Sequence, residues 1–293
     1  MAALQSFVAV PTQQITERFL EDAPNCDERE LIKLHRRLFS DSLSDLWDVM
    51  SGGMTGFNGY KILRLSMLFD PEDDLNDIKA ALDALIAFDA WNRVQRALED
   101  ARKYFGGPFC KWALFIADRT KPDVVEKSKG IVGFGSIPPF ILLGIWPTKY
   151  SLVSLQAAAA REYHHSMRHS LYPVNSIRYP LIQSLLAEGL AEVFVEEHYG
   201  EDFVLDNAKK YPLEEVKKLW PKFEKNIKLD GIDQHRGFMF GDYKSGIPTG
   251  AGFSVGYQII KSFMENNPGT KSNEIIALPY KKIMVGSNFK IRE

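Results

Sequence analysis

The sequence predicts an α+β fold, predominantly helical with a small sheet, in which one helix carries Glu162 and His165 on a single face. Three observations predict it. Apolar residues recur at helical spacing through residues 27–105. The middle of the chain then holds three short runs of strand-forming residues bounded by turn signals. Beyond them helical periodicity returns around a cluster of histidines and glutamates. The organisation expected is a helical N-terminal portion over residues 1–108 and a second region, 109–293, holding the sheet and the polar cluster, with the two forming one body.

In residues 27–50, Leu31, Leu34, Leu38, Leu43 and Leu46 describe one helical face, and the pattern stops at Gly52-Gly53. Residues 74–105 repeat it and stop at Gly106-Gly107. Between them, residues 60–69 partly alternate, which fits a strand as well as a helix. Residues 111–118 are a short apolar run rich in strand formers, and Ile131–Phe134 and Phe140–Ile145 are two more, split by Pro138-Pro139. Proline cannot donate to a central ladder, so the strand beside it is expected at a sheet edge, where an extended peptide can pair with it. Residues 149–168 read as a helix, with Ser151 as its cap and Ala157 to Ala160 as strong helix formers. Residues 179–198 read as a second, with Leu181, Leu185, Leu186, Leu190, Val193 and Phe194 on its apolar side. A charged helix over 213–227, a loop through Gly252, a helix over 254–266 and a mixed tail complete the chain.

Composition narrows the function classes. With 36 Lys and Arg against 38 Asp and Glu, the net charge of -2 gives no electrostatic footprint for nucleic acid or an anionic membrane, so neither is expected as a partner. No run approaches the ~20 apolar residues of a membrane span, and the N-terminal segment lacks the basic n-region of a signal peptide. The expected location is the cytoplasm. Cys26 and Cys110 supply neither a disulfide framework nor a cysteine zinc site, and both are expected as free thiols.

The chemistry concentrates in Arg161-Glu162-Tyr163-His164-His165, with His169 one turn on, and in Glu188-Gly189-Leu190-Ala191-Glu192. In the metalloprotease pattern H-E-x-x-H, two histidines one helical turn apart bind zinc, and the glutamate after the first activates the bound water. Here Arg161 stands at the first histidine position, Glu162 at the base and His165 at the second histidine. Three residues apart on a helix, Glu162 and His165 share a face. Glu188 offers a carboxylate ligand, and Glu192, one turn on, a second carboxylate able to orient a ligating histidine through its free ring N–H.

These segments, together with Gly252-Phe253-Ser254-Val255-Gly256-Tyr257, resemble the YjaZ-like family of bacterial predicted zinc-dependent proteases, whose members show H-E-x-H-H, then E-G-L-A-E, then a G-Y-x-x-G-Y helix start. The similarity covers roughly residues 111–289. The resemblance implies a zincin-like fold and a zinc-dependent peptidase acting on a peptide or protein. It implies Glu162 as catalytic base, His165 and Glu188 as zinc ligands and Glu192 behind the ligands, and it maps the family's first histidine onto Arg161.

That departure has physical weight. A guanidinium has no acceptor lone pair and stays protonated, so Arg161 cannot ligate zinc and would repel a cation beside it. Three outcomes stay open. The metal is lost and the Arg161 cation takes its electrostatic place beside Glu162, Glu188 or Glu192; or His164 or His169 supplies the missing nitrogen; or a two-ligand site of His165 and Glu188 persists. The function expected is thus a zinc-dependent metallopeptidase with a degraded motif, or, alternatively, a catalytically inactive binding or regulatory protein of the same fold.

Other patterns carry less. Glu162 and His165 also satisfy the E-x-x-H spacing of di-iron bundles, but no second E-x-x-H accompanies it. Gly252 to Gly256 matches the G-x-S-x-G nucleophile elbow, yet no Asp or His follows Ser254, so a glycine-rich helix entry is expected instead. Gly133-Phe134-Gly135 lacks the third glycine of a dinucleotide fingerprint. A peptidase also needs a donor for the tetrahedral oxyanion, and among Tyr243, Tyr257 and His235 the choice falls on Tyr257.

Overall fold

The computed structural model describes residues 4–52, 57–122, 124–125, 128–174 and 178–291. The chain divides into two compact units, Met1–Ser166 and Met167–Glu293.

The first unit is built on a four-stranded sheet with order β1-β2-β4-β3, formed by β1 (Val8–Ala9), β2 (Lys111–Ile116), β3 (Ile131–Phe134) and β4 (Phe140–Ile145). β1, β2 and β4 run parallel, while β3 is antiparallel to β4 in the register Ile131↔Ile145 to Phe134↔Leu142. Three of these strands coincide with the apolar runs of the sequence. The edges lie at β1 and β3, whereas β4, which directly follows Pro139, is interior and buried along its whole length. Pro139 is tolerated there because it stands just ahead of the ladder and accepts, through its carbonyl, the Lys111 N–H at 2.8 Å.

The helices of this unit are α1 (Thr12–Asp22), α2 (Glu28–Ser40), α3 (Ser44–Ser51), α4 (Gly59–Ser66), α5 (Leu75–Ala87), α6 (Ala90–Phe105) and most of α7 (Lys149–Leu171). α2 begins at a capping box, in which the Asp27 carboxylate accepts the Glu30 N–H at 2.9 Å and the Glu30 carboxylate accepts the Asp27 N–H at 3.1 Å. The continuous helix expected over 27–50 is interrupted by a 3-10 turn at Asp41–Leu43. It ends at Gly52, in the left-handed region at φ 52°, and Gly53 of the expected stop lies outside the described residues. The one expected over 74–105 is two helices, broken where Asp89 adopts φ 58°. Aspartate tolerates that conformation because its short side chain bonds locally, here accepting the Asn92 amide at 2.6 Å. Of residues 60–69, the stretch to Ser66 lies in α4 and none is strand: Asn58 caps the helix by accepting the Lys61 N–H at 3.0 Å, and Tyr60 and Leu63 turn inward one helical turn apart.

At the centre of this unit Phe19, Phe39 and Phe69 surround His35, with ring centroids 5.0, 4.7 and 4.9 Å away. His35 Nδ1 is 2.8 Å from the Tyr60 hydroxyl. Burial, assisted by the Arg64 charge, lowers its pKa to about 3, so the ring is neutral in the folded chain.

The second unit holds the end of α7, then α8 (Leu181–Tyr199), α9 (Asp206–Lys209), α10 (Leu213–Asn226), α11 (Arg236–Phe240), α12 (Ala251–Asn266), α13 (Ser272–Ile275) and α14 (Tyr280–Gly286). Its core is the pairing of α8 with α12. A Cβ on Gly189 would fall on the Gly256 carbonyl, and one on Gly256 would fall on the Leu185 carbonyl, so the two backbones meet where both helices lack side chains. Leu181, Leu185, Leu186, Leu190 and Val193 join the apolar cluster around this crossing, as their spacing predicts. Arg168, 1% exposed, ties the end of α7 to the segment before α14. Its guanidinium donates to the Ile276 carbonyl, to the Leu278 carbonyl at 3.0 Å and to Gln183 Oε1 at 3.1 Å, and it stacks 3.8 Å from the Tyr172 ring.

Two measurements check this architecture. His35 is protonated near pH 6.5 when unfolded but only near pH 3 when folded, so its contribution to stability is complete above pH 6.5 and is lost as pH falls toward 3. Urea unfolding at pH 7 and pH 5 should show wild-type protein losing about 2 kcal/mol more over that interval than His35→Phe. Gly256→Ala should lower the unfolding free energy by at least the ~1–3 kcal/mol typical of overpacking, read from the urea transition, because the carbonyl it meets belongs to a buried helix.

Candidate functional site

Helix α7 carries the central residues. Its N-terminus is closed by a reciprocal pair: the Ser151 N–H donates to Thr148 Oγ1 at 3.0 Å, and the Thr148 N–H donates to Ser151 Oγ at 2.8 Å. Thr148 is therefore the cap, and Ser151, expected in that role, completes the box from within the first turn. Ala157 to Ala160 face the interior. Tyr163 sets the rotation of the helix, donating its hydroxyl to the Pro108 carbonyl at 2.8 Å and packing its ring between Phe7 and Phe105 at 6.3 and 6.4 Å. Arg161, Glu162, His164 and His165 are all buried. His164 is fully enclosed, its ring edge-on to Phe105 at 5.4 Å. Cys110 lies 3.7 Å from Ser166 Oγ, and burial pushes its thiol up to about 11, well away from reactive thiolate chemistry.

Glu162 sits directly against the edge strand. A Cβ on Gly133 would lie 2.5 Å from Glu162 Cγ and Cδ, and one on Gly135 would overlap the Glu162 backbone. Alternate residues of a strand face the same side, so these two glycines together let β3 lie on α7 at this point. Trp146 donates its N–H to the Gly130 carbonyl at 2.8 Å, which makes Gly130/Trp146, Val132/Gly144 and Phe134/Leu142 the hydrogen-bonded pairs of the antiparallel ladder. Gly133 therefore turns its N–H and C=O away from β4, toward the open edge, and it is exposed. An exposed, outward-bonding main chain stands over a buried carboxylate. Sequence reasoning passed over these glycines as a failed nucleotide signal; their spacing of two, on an edge strand, was the clue available.

The other expected residues belong to the second unit. His169 Nε2 is 3.2 Å from the Tyr179 hydroxyl, and burial, with Arg168 beside it, lowers its pKa to about 4. Tyr179 is held above the usual phenol range, first by burial and further by the Glu188 charge, against the opposing pull of Arg168. His169 and Tyr179 thus form a buried pair that feels the Glu188 charge, and Tyr179 was not anticipated from the sequence. Glu192, fully buried, accepts the Leu205 N–H at 2.8 Å, just ahead of α9. Tyr257 donates its hydroxyl to Glu196 Oε2 at 2.7 Å, and Lys261 bonds the other oxygen of the same carboxylate at 2.8 Å. Of the two other oxyanion candidates, Tyr243 is 99% exposed, while His235 bonds Ser184 Oγ at 2.8 Å and the Leu229 carbonyl at 2.9 Å. Ser254 is buried inside α12, donating to the Asn207 carbonyl at 2.6 Å and accepting the Tyr211 N–H at 3.2 Å, a packing role that leaves no nucleophile elbow.

A catalytic zinc needs three protein donors and an open position. Among the described residues no group of three His, Cys, Asp or Glu side chains is placed to hold a metal ion. The position that would supply the first nitrogen carries the Arg161 guanidinium, which has no lone pair to give. The donor set on α7 does not fit that metal. No helix among the described residues is long and apolar enough to cross a membrane.

A family model described as "Predicted Zn-dependent protease (DUF2268)" matches residues 90–285. A curated relative, the uncharacterized protein YjfC of Bacillus subtilis (strain 168), is 30% identical over 165 residues, covering 54% of this chain and 54% of that protein. The chain thus spans about half the length of the curated relative it matches. No solved structure matches it.

The two glycines under β3 should behave differently when filled. Gly135→Ala meets helix backbone and should cost about 1–3 kcal/mol in thermal unfolding. Gly133→Ala meets only the movable end of Glu162 and should cost less than about 1 kcal/mol, while displacing the carboxylate from beneath the strand.

Proposed function

Because this chain belongs to the family of predicted Zn-dependent proteases, we propose that it is a zincin-like protein that has kept the peptide-binding edge of the fold and lost the metal, binding extended peptide segments along β3 without cleaving them. The observation that carries this reading is the pairing of an exposed Gly133 main chain with the buried Glu162 carboxylate, on a helix whose first ligand position is Arg161.

The chemistry follows from what each group can do. A peptide laid along β3 gains hydrogen bonds to the Gly133 N–H and C=O, which supply affinity without regard to side chains. Glycine at 133 brings the Glu162 carboxylate close under that strand, where it can accept an N–H from the incoming peptide and so fix its register. Arg161 adds a permanent positive charge on the same helix, one turn from His165. Such a site holds a peptide but supplies no Lewis acid of its own.

Elemental analysis and peptide titration test the reading together. Purified wild-type chain should carry zinc far below one ion per chain and should bind short extended peptides without releasing fragments. Arg161→His should raise zinc uptake toward stoichiometry, since it restores the missing nitrogen. Stoichiometric zinc together with peptide cleavage in the wild-type chain would overturn the proposal.

A further inference from the structure

An open pocket of about 360 Å³ lies in the first unit, at the head of β3. It is lined by Val125, Lys129, Gly130, Trp146, Thr148 and Tyr150, and its walls are mostly apolar. It is positioned by the same ladder that presents the edge: Trp146 pairs with Gly130, and the turn into β3 is closed by the Gly130 N–H on the Val124 carbonyl at 2.7 Å and the Ile131 N–H on the Ser128 carbonyl at 3.0 Å. The walls are therefore preformed. Cations stand over both rings. The Lys129 ammonium is 4.9 Å from the Tyr150 centroid, and the Arg119 guanidinium, itself paired with Asp77, is 5.4 Å from that of Trp146. Lys129 adopts φ 50°, a left-handed conformation that is unfavourable for a residue other than glycine. A lysine held in that conformation beside an aromatic pocket is strain of the kind that collects at binding sites.

We propose that this pocket receives the C-terminal end of the bound peptide, its last side chain bulky and apolar, its terminal carboxylate facing Lys129. The inference rests on the β3 reading above and adds direction and specificity to it. Antiparallel pairing is the more stable arrangement for a strand added to an edge. A peptide running antiparallel to β3 across Gly133 reaches Gly130 three residues later, about 10 Å along the strand. There the turn closing β3 removes the edge it was pairing with, so the peptide ends or leaves the surface at the pocket. Apolar walls under a cationic rim complement a hydrophobic side chain beside a negative charge, which at that position is the chain terminus. An acidic side chain within a longer peptide carries the same carboxylate, and amidated peptides separate the two sources.

The test is titration of the full-length chain with short extended peptides, each made with a free C-terminal carboxylate and as the amide, varying the last residue and including amides with an internal Asp or Glu. Free acids ending in Leu or Phe should bind about tenfold tighter than their amides. Lys129→Gly should abolish that difference while keeping or raising thermal stability, because glycine takes the left-handed conformation without strain. Trp146→Leu should weaken the selection for a bulky last residue. Peptides that bind equally well as acids and amides, indifferent to Lys129→Gly, would overturn this subsite and leave binding along β3 standing. Amides with an internal acid that match the free acids would overturn the terminal assignment. Binding of no peptide in either form would overturn both.

Discussion

Everything the first unit presents depends on how closely β3 approaches α7. Two side chains are absent, at Gly133 and Gly135, and their absence lets a strand edge lie on a helix at the residue that carries the carboxylate. A methyl group at Gly135 would push strand from helix, and one at Gly133 would displace the Glu162 carboxylate from beneath the outward-facing main chain. The Tyr163 hydroxyl on the Pro108 carbonyl and its ring between Phe7 and Phe105 hold the helix in the rotation that makes this meeting possible. Ladder register, helix rotation and the missing side chains are one constraint read from three directions.

That constraint is independent of a metal, which is why the two can come apart. In a zinc peptidase the metal polarises and activates, while the strand edge holds the substrate by main-chain hydrogen bonds. Arg161 at the first ligand position offers no lone pair and carries a fixed charge, so that side chain itself cannot serve the first task. It leaves the second unaffected, since Gly133 owes its exposed N–H and C=O to the pairing of β3 with β4 and nothing to the ligand position.

Sequence reasoning read this chain unevenly, for identifiable reasons. Ile131–Phe134 and Phe140–Ile145 were legible as strands because short apolar runs between turn signals have few other uses, and α7 and α8 were legible from alanine content and leucine spacing. The break at Asp89 was not, because one residue in the left-handed region leaves helical periodicity intact on both sides. His35 gave no signal at all: its place among phenylalanines is set by contacts between α1, α2 and the segment after α4, far apart in sequence. For the site, residue types and their positions on α7 can be read, but nothing in the sequence separates Tyr257 from Tyr243 and His235 as a donor, and in the fold its hydroxyl is engaged by Glu196.

The second unit shows why a retained motif can mislead. Glu188-Gly189-Leu190-Ala191-Glu192 looks like half of a zinc site, yet three of its residues have work that needs no zinc. Gly189 is required where α8 and α12 meet backbone to backbone. Leu190 packs into the core between them. Glu192, buried without exposure, accepts the Leu205 N–H just ahead of α9, and removing its carboxylate would take that acceptor away. Folding alone is therefore enough to require most of the block. Glu188 is half-buried, and its charge helps hold the Tyr179 phenol above its usual range.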